Sequence, residues 1–230
     1  MSFLFDSLHE ALRLVFRFDP EVYYVVWTSL KVSAASTVFA SVVGVPLGLL
    51  IALTGFRGKS AVQLTLNTLM ALPTVVVGLF FYAMLSRRGP LGDMGLLFTP
   101  SAIVVGLFVL GLPTIVNLTI SAVHALDKRL LLTCKLLGAT PVQQAWKILH
   151  EGRFGILASV VVAFGRVISE VGIAMMLGGN IRGFTRTMTT AIALETSKGE
   201  FELGLALGLV LLAAAFFVNA MLFLIQRSKG

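Results

Sequence analysis

The sequence predicts an all-α polytopic membrane protein with five core transmembrane helices and an N-terminal interfacial helix. Three observations carry that fold class. Hydrophobic residues make up 57% of the 230-residue chain and charged residues only 13%, with a mean hydropathy of +0.94. A soluble domain is roughly half apolar and a quarter charged. Long stretches free of charge recur, each able to cross ~30 Å of hydrocarbon as a helix. Between the third and fourth of them lies a long polar interruption, 126–152, punctuated as two short helices meeting at a glycine.

Residues 3–18 repeat with helical period. Phe5, Leu8, Leu12 and Val15 fall on one face, and Asp6, Glu10, Arg13 and Arg17 on the other. Such a helix suits the membrane interface. The alternative, a sixth span, would bury those four charges at a cost. Asp19-Pro20 ends the segment, so 1–20 reads as an N-terminal interfacial unit and 21–230 as the membrane domain. The first span covers 22–53. Tyr23, Tyr24 and Trp27 mark a membrane interface. Gly44 and Gly48 permit close helix packing, and Pro46 between them predicts a kink. Arg57 and Lys59 form a short basic turn. The second span, 61–85, contains Pro73. Residues 86–100 form a loop rich in Gly, Pro and charge. The third span, 101–123, is expected to break at Gly111-Leu112-Pro113 and carries Asn117 as its polar residue.

The interruption at 126–152 is read from its caps. Asp127 can accept the free N–H groups of a helix running to Leu137. Gly138 is placed to end that helix in a left-handed conformation. Thr140 offers a second N-cap, and Pro141 suits the first helical position of a helix to about 150. A polar helix–glycine–helix elbow between spans reads either as a docking surface or as an ordinary amphipathic loop.

The fourth span, 154–180, carries Arg166 and Glu170. Four residues apart on one helix face, they are expected to pair. Charges at that depth are costly alone. The pair therefore either lines a pathway or gate between two copies of the chain, or ties the span to its neighbours. Residues 180–202 form a threonine-rich polar connection with Arg182 and Arg186, part of which is expected to fold back as a short helix. The fifth span covers 203–226.

Several classes are excluded. The net charge of +7 is scattered among apolar spans and forms no nucleic-acid face. A single cysteine, Cys134, allows neither an internal disulfide nor a multi-cysteine metal site. His9, His124 and His150 lie far apart, and no phosphate-binding glycine loop occurs. No catalytic set and no bound cofactor or metal is expected. The N-terminus lacks a clean apolar signal region. Lysine and arginine are nearly balanced between the two faces, so charge alone does not orient the chain.

Two stretches carry a resemblance. Lys135-Leu136-Leu137-Gly138-Ala139, with Ile148 ten residues after the glycine, resembles the cytoplasmic signature loop of ABC-importer permeases. The Glu-Ala-Ala positions of that loop read Leu132-Thr133-Cys134 here, and its closing Leu-Pro reads His150-Glu151. The run 168–188 is similar to the fourth core span and following loop of molybdate, sulfate and tungstate importer permeases. Its continuation, 189–201, is most similar to the tungstate branch. The resemblance implies a type I importer permease that moves an oxyanion across the cytoplasmic (inner) membrane. It implies partners: a second copy of the chain, two ABC ATPase subunits that bind ATP and Mg, an extracytoplasmic substrate-binding protein and the lipid bilayer, with no nucleic acid. The elbow and C-terminus would be cytoplasmic and the N-terminus outside. Lys135, Gly138, Ala139, Thr140, Pro141, Gln144, Trp146 and Ile148 would form the ATPase-coupling loop. Arg166, Glu170, Asn180, Thr185 and Arg186 would lie along the translocation pathway. The runner-up class is an ion-coupled secondary transporter using Arg166 and Glu170 as a relay.

Overall fold

A computed structural model of the chain describes residues 19–227 together with His9, Arg13, Phe16 and Arg17. The expected interfacial helix at 3–18 lies largely outside the described residues. Among the described residues there are ten α-helices and no strand.

Helix α1 spans Pro20–Leu53, 34 residues. The Asp19 carboxylate accepts the N–H groups of Glu21 and Val22 at 2.9 and 3.1 Å, and Pro20 sits where its missing N–H costs nothing. The Asp-Pro pair thus starts α1, which runs unbroken through Pro46. Helices α2 (Lys59–Met70) and α3 (Thr74–Leu85) replace the expected single span 61–85, meeting at 92°. Pro73 causes the break: it donates no hydrogen bond, and it pushes the residue before it out of helical conformation. The break expected at Gly111-Leu112-Pro113 does not occur, since α4 runs from Pro100 to His124 without interruption. Its neighbours hold it on several sides, and tertiary contact overrides the proline.

The elbow consists of α5 (Lys128–Leu136) and α6 (Pro141–Glu151). Helix α7 (Arg153–Ile168) follows after Gly152 alone, turned 71° from α6. The expected fourth span then breaks at 169–171, before α8 (Gly172–Gly178). Ser169 Oγ bonds the carbonyls of Gly165 and Arg166, while Glu170 Oε1 accepts the Ile173 N–H. Both side chains take over backbone groups the helix would use, so it stops and restarts. Helix α9 (Met188–Lys198) is the fold-back helix expected within 180–202, and α10 (Phe201–Arg227) closes the chain. Helices α1, α4 and the Phe201–Ala220 part of α10 are each long and apolar enough to cross a membrane. Counting the α2–α3 and α6–α7 pairs as bent spans makes up to five.

Helix α4 is the hub, packing on α1, α2, α7 and α8. Lipid tails are as apolar as leucine, so close backbone approach does more here than burial from water. A Cβ on Gly48 of α1 would lie 2.7 Å from Thr119 Cβ and 2.9 Å from the Val116 carbonyl of α4. A Cβ on Gly106 would lie 2.4 Å from Ile173 Cγ2 of α8. The elbow end of the bundle is sealed by Leu49, Val123, Ile148 and Ile156. The opposite end is sealed by Val22, Val25, Ile168, Met188 and Leu207.

Candidate functional site

The elbow is built by local chemistry. Asp127 Oδ1 accepts the Arg129 N–H at 2.9 Å. Gly138 has φ +72°, the left-handed conformation that relieves the end of α5. Thr140 and Gln143 form a reciprocal capping box: the Thr140 hydroxyl accepts the Gln143 N–H, and the Gln143 side chain accepts the Thr140 N–H. Gln144 donates to the Ala139 carbonyl at 2.7 Å, bracing the corner from inside. Lys147 bonds Glu151 at 2.7 Å, one turn along α6, and holds that carboxyl below the usual carboxylate range.

Of the eight candidate coupling residues, Lys135, Gly138, Thr140, Pro141 and Trp146 face outward, with Trp146 73% exposed. Ala139 and Gln144 are half-buried. Ile148 is 3% exposed and packs inward against Leu49, Val123 and Ile156, so it anchors α6 rather than offering a contact. The coupling set left out Leu136, Leu137 and Val142, which stand open and, with Trp146, make the elbow surface markedly apolar. Their signal was available: apolar residues within an otherwise polar loop.

The pathway candidates separate into two places. The Arg166–Glu170 pair does not form. The Arg166 guanidinium donates through Nη2 to the Met70 carbonyl at 2.7 Å, capping α2 where the chain breaks before Pro73. Glu170 lies beyond the end of α7, with its carboxylate on the Ile173 N–H and its carbonyl accepting the Thr189 hydroxyl at 2.8 Å. Two residues not expected in a site join Arg166 at this turn. Asn117 donates to Asn67 Oδ1 at 2.6 Å and lies 3.2 Å from Met70 Sδ. Three helices, α2, α4 and α7, therefore each deliver one polar side chain to the break.

Asn180, Thr185 and Arg186 lie at the other place, the end of the bundle remote from the elbow. Thr185 is fully buried, donating to the Gly178 carbonyl and accepting the Ile181 N–H. Asn180 adopts φ +51° and donates to the Thr190 carbonyl. Arg186, 8% exposed, bonds Glu21 at 3.0 Å and Glu195 at 3.4 Å. Arg182 also pairs with Glu21, and Lys198 with Glu195. Thr187 and Thr190 form the capping box of α9, and Ser29 Oγ of α1 accepts the Met188 N–H at 2.7 Å. Most of these groups bond one another, and among the described residues only Asn180 Oδ1 and Arg186 Nε of this cluster are buried without a partner. These bonds fasten α9 and the preceding loop to α1.

The family model described as "Binding-protein-dependent transport system inner membrane component" matches residues 44–229, which is most of the chain. The chain belongs to this family. It is an ABC-importer permease component and a multi-pass protein of the inner membrane. It is 40% identical over 228 residues to the tungstate uptake system permease protein TupB of Campylobacter jejuni, covering 99% of this chain and 95% of that one. It is 39% identical to the protein of the same name from Peptoclostridium acidaminophilum, covering 99% and 100%. The molybdenum transport system permease protein ModB of Escherichia coli K12 is 30% identical over 196 residues, covering 79% and 83%. Among solved structures, an inward-facing form of the MetNI methionine ABC transporter superposes with a TM-score of 0.75 at 19% identity, covering 92% and 99%. That likeness establishes the fold, a type I importer permease.

Proposed function

We propose that this chain is the permease subunit of an ATP-driven importer for an oxyanion, most specifically tungstate. One observation carries the substrate: near-full-length identity of about two residues in five to two tungstate permeases, against 30% or less over a shorter span to the molybdenum permeases. The chain works as a homodimer, with the pathway between two copies. Two ATPase subunits, holding ATP and Mg, dock on the elbow, and a substrate-binding protein delivers the anion on the far side. The elbow and C-terminus are cytoplasmic and the N-terminus lies outside.

The α5–α6 geometry supports the coupling role. A capped, rigid helix carries Trp146 and Val142 outward and joins α7 through one glycine. Closure of the ATPases would pull the two elbows together and tilt the spans as rigid bodies, switching access. Lys135, Gly138, Ala139, Thr140, Pro141, Gln144 and Trp146 form or brace the contact, and Ile148 transmits it to the core.

The test is isotope uptake of tungstate by vesicles holding the complete complex, with molybdate and sulfate as competitors. Tungstate should compete at far lower concentration than either. Equal inhibition by all three would defeat the tungstate assignment, and uptake without any ATPase partner would defeat the importer reading.

A further inference from the structure

We propose that Arg166, Asn67 and Asn117 form a contact site for a tetrahedral oxyanion inside the membrane. The inference rests on the importer reading above and adds the residues that meet the anion at mid-depth.

Position comes first. Arg166 is the fourteenth residue of α7, Asn67 the ninth of α2, and Asn117 lies seven residues before the end of α4. At ~1.5 Å per helical residue these sites lie roughly 10–20 Å in from the helix ends that flank the elbow. Measured from a membrane boundary at those helix ends, that range is the middle third of a ~30 Å hydrocarbon layer.

Charge comes second. Among the described residues no carboxylate pairs with Arg166, and its one hydrogen bond is to the Met70 carbonyl. Glu170, the nearest carboxylate along the chain, accepts the Ile173 N–H at 3.3 Å on the α3 side of the break, close to Thr74. Arg182 and Arg186, by contrast, are tied to Glu21 and Glu195. A guanidinium has several N–H donors in a planar fork, so a single carbonyl leaves most of them free. An intramembrane cation of this kind is a functional-site candidate by its cost alone.

Donors come third. Asn117 donates to Asn67 Oδ1, which leaves the Asn67 amide N–H groups unengaged beside the same turn. Asn67 is exposed on this chain's surface, and Arg166 and Asn117 are half-buried, so the set is open on one side. A dianion leaving water needs replacement donors and positive potential, and guanidinium forks match its paired oxygens. The Met70 carbonyl would repel the anion if bare, but the guanidinium covers it. Arg166 and Asn117 both reach Met70, just before the Pro73 break, one at its carbonyl and the other at its sulfur.

The test uses the intact permease–ATPase complex in membrane vesicles, in a Cys134→Ser background. Asn117→Cys introduces one thiol, and Asn67→Cys serves if the first does not assemble. Labelling by anionic sulfonatoethyl methanethiosulfonate is compared with labelling by the cationic trimethylammonioethyl reagent. The anionic-to-cationic rate ratio should exceed that of a free thiol in solution about tenfold, the lower bound for focusing by a confined charge. Arg166→Gln should abolish the excess, and tungstate should slow labelling. A ratio equal to the free thiol, one unmoved by Arg166→Gln, or labelling indifferent to tungstate overturns the site when the unsubstituted complex imports tungstate. Failure of that complex to import any oxyanion overturns the importer reading and this site with it.

Discussion

At the residue scale, the same side-chain type does opposite work in two places. Arg186 is enclosed by two carboxylates, one of them the 3%-exposed Glu195. Removing it would leave Glu195 with Lys198 alone and Glu21 with the exposed Arg182 alone. Breaking a buried pair from one side costs about 3–5 kcal/mol. Arg186→Ala should therefore lower the unfolding temperature of the purified complex strongly, whereas Arg87→Ala, on the exposed loop, should leave it in place. Thermal unfolding in detergent decides, and equal midpoints would show that the network adds nothing. The resemblance put Arg186 and Thr185 along the translocation pathway. It did not reveal their partners, since Glu21 lies 165 positions away from Arg186.

At the element scale, what was legible was what is local. Caps act within four residues, so Asp127, Gly138, Thr140 and Pro141 disclosed α5 and α6 nearly to the residue. The broken spans were not legible by the same rule. Pro46, Pro73 and Pro113 look alike in sequence, yet only Pro73 breaks its helix. Helices α1 and α4 hold the other two by mutual packing, while α2 has no buried residue to resist the bend. The Arg166–Glu170 spacing misled because it assumed a helix that Ser169 and Glu170 themselves terminate. Gly138 gives a sharp test of the elbow. A β-branched residue at φ +72° costs on the order of 1–2 kcal/mol. Gly138→Val should reduce ATPase co-purification and uptake together, while Gly55→Ala, with open space around its added Cβ, should change neither. Full uptake by Gly138→Val would remove the elbow's corner from the coupling mechanism.

At the scale of the whole molecule, α4 makes the bundle one body. It touches α1 through glycines with no room for a side chain, and a larger residue must push backbone against backbone. Overpacking of that kind costs about 1–3 kcal/mol, occasionally more. Gly48→Leu should cut the yield of folded complex and its thermal midpoint well below those of Gly208→Leu, whose site in α10 is open. Comparable yields would mean that the α1–α4 contact yields easily. Helix α10, only 17% buried over its apolar window, leaves most of its surface to lipid or to another chain.

The length of α1 has its own consequence. Thirty-four residues measure about 51 Å, well beyond the ~30 Å of hydrocarbon, and ordinary tilts of up to ~40° do not absorb the difference. With Leu53 at one boundary, the other falls near Lys31, beside the exposed Trp27. The first dozen residues then rise as a mast above the acyl chains, carrying Glu21 with them. With that boundary, the Arg182–Glu21–Arg186–Glu195 cluster is rigging at the level of the headgroup layer, where water and salt reach its rim. Bilayer thickness sets how far that rigging stands clear of the lipid.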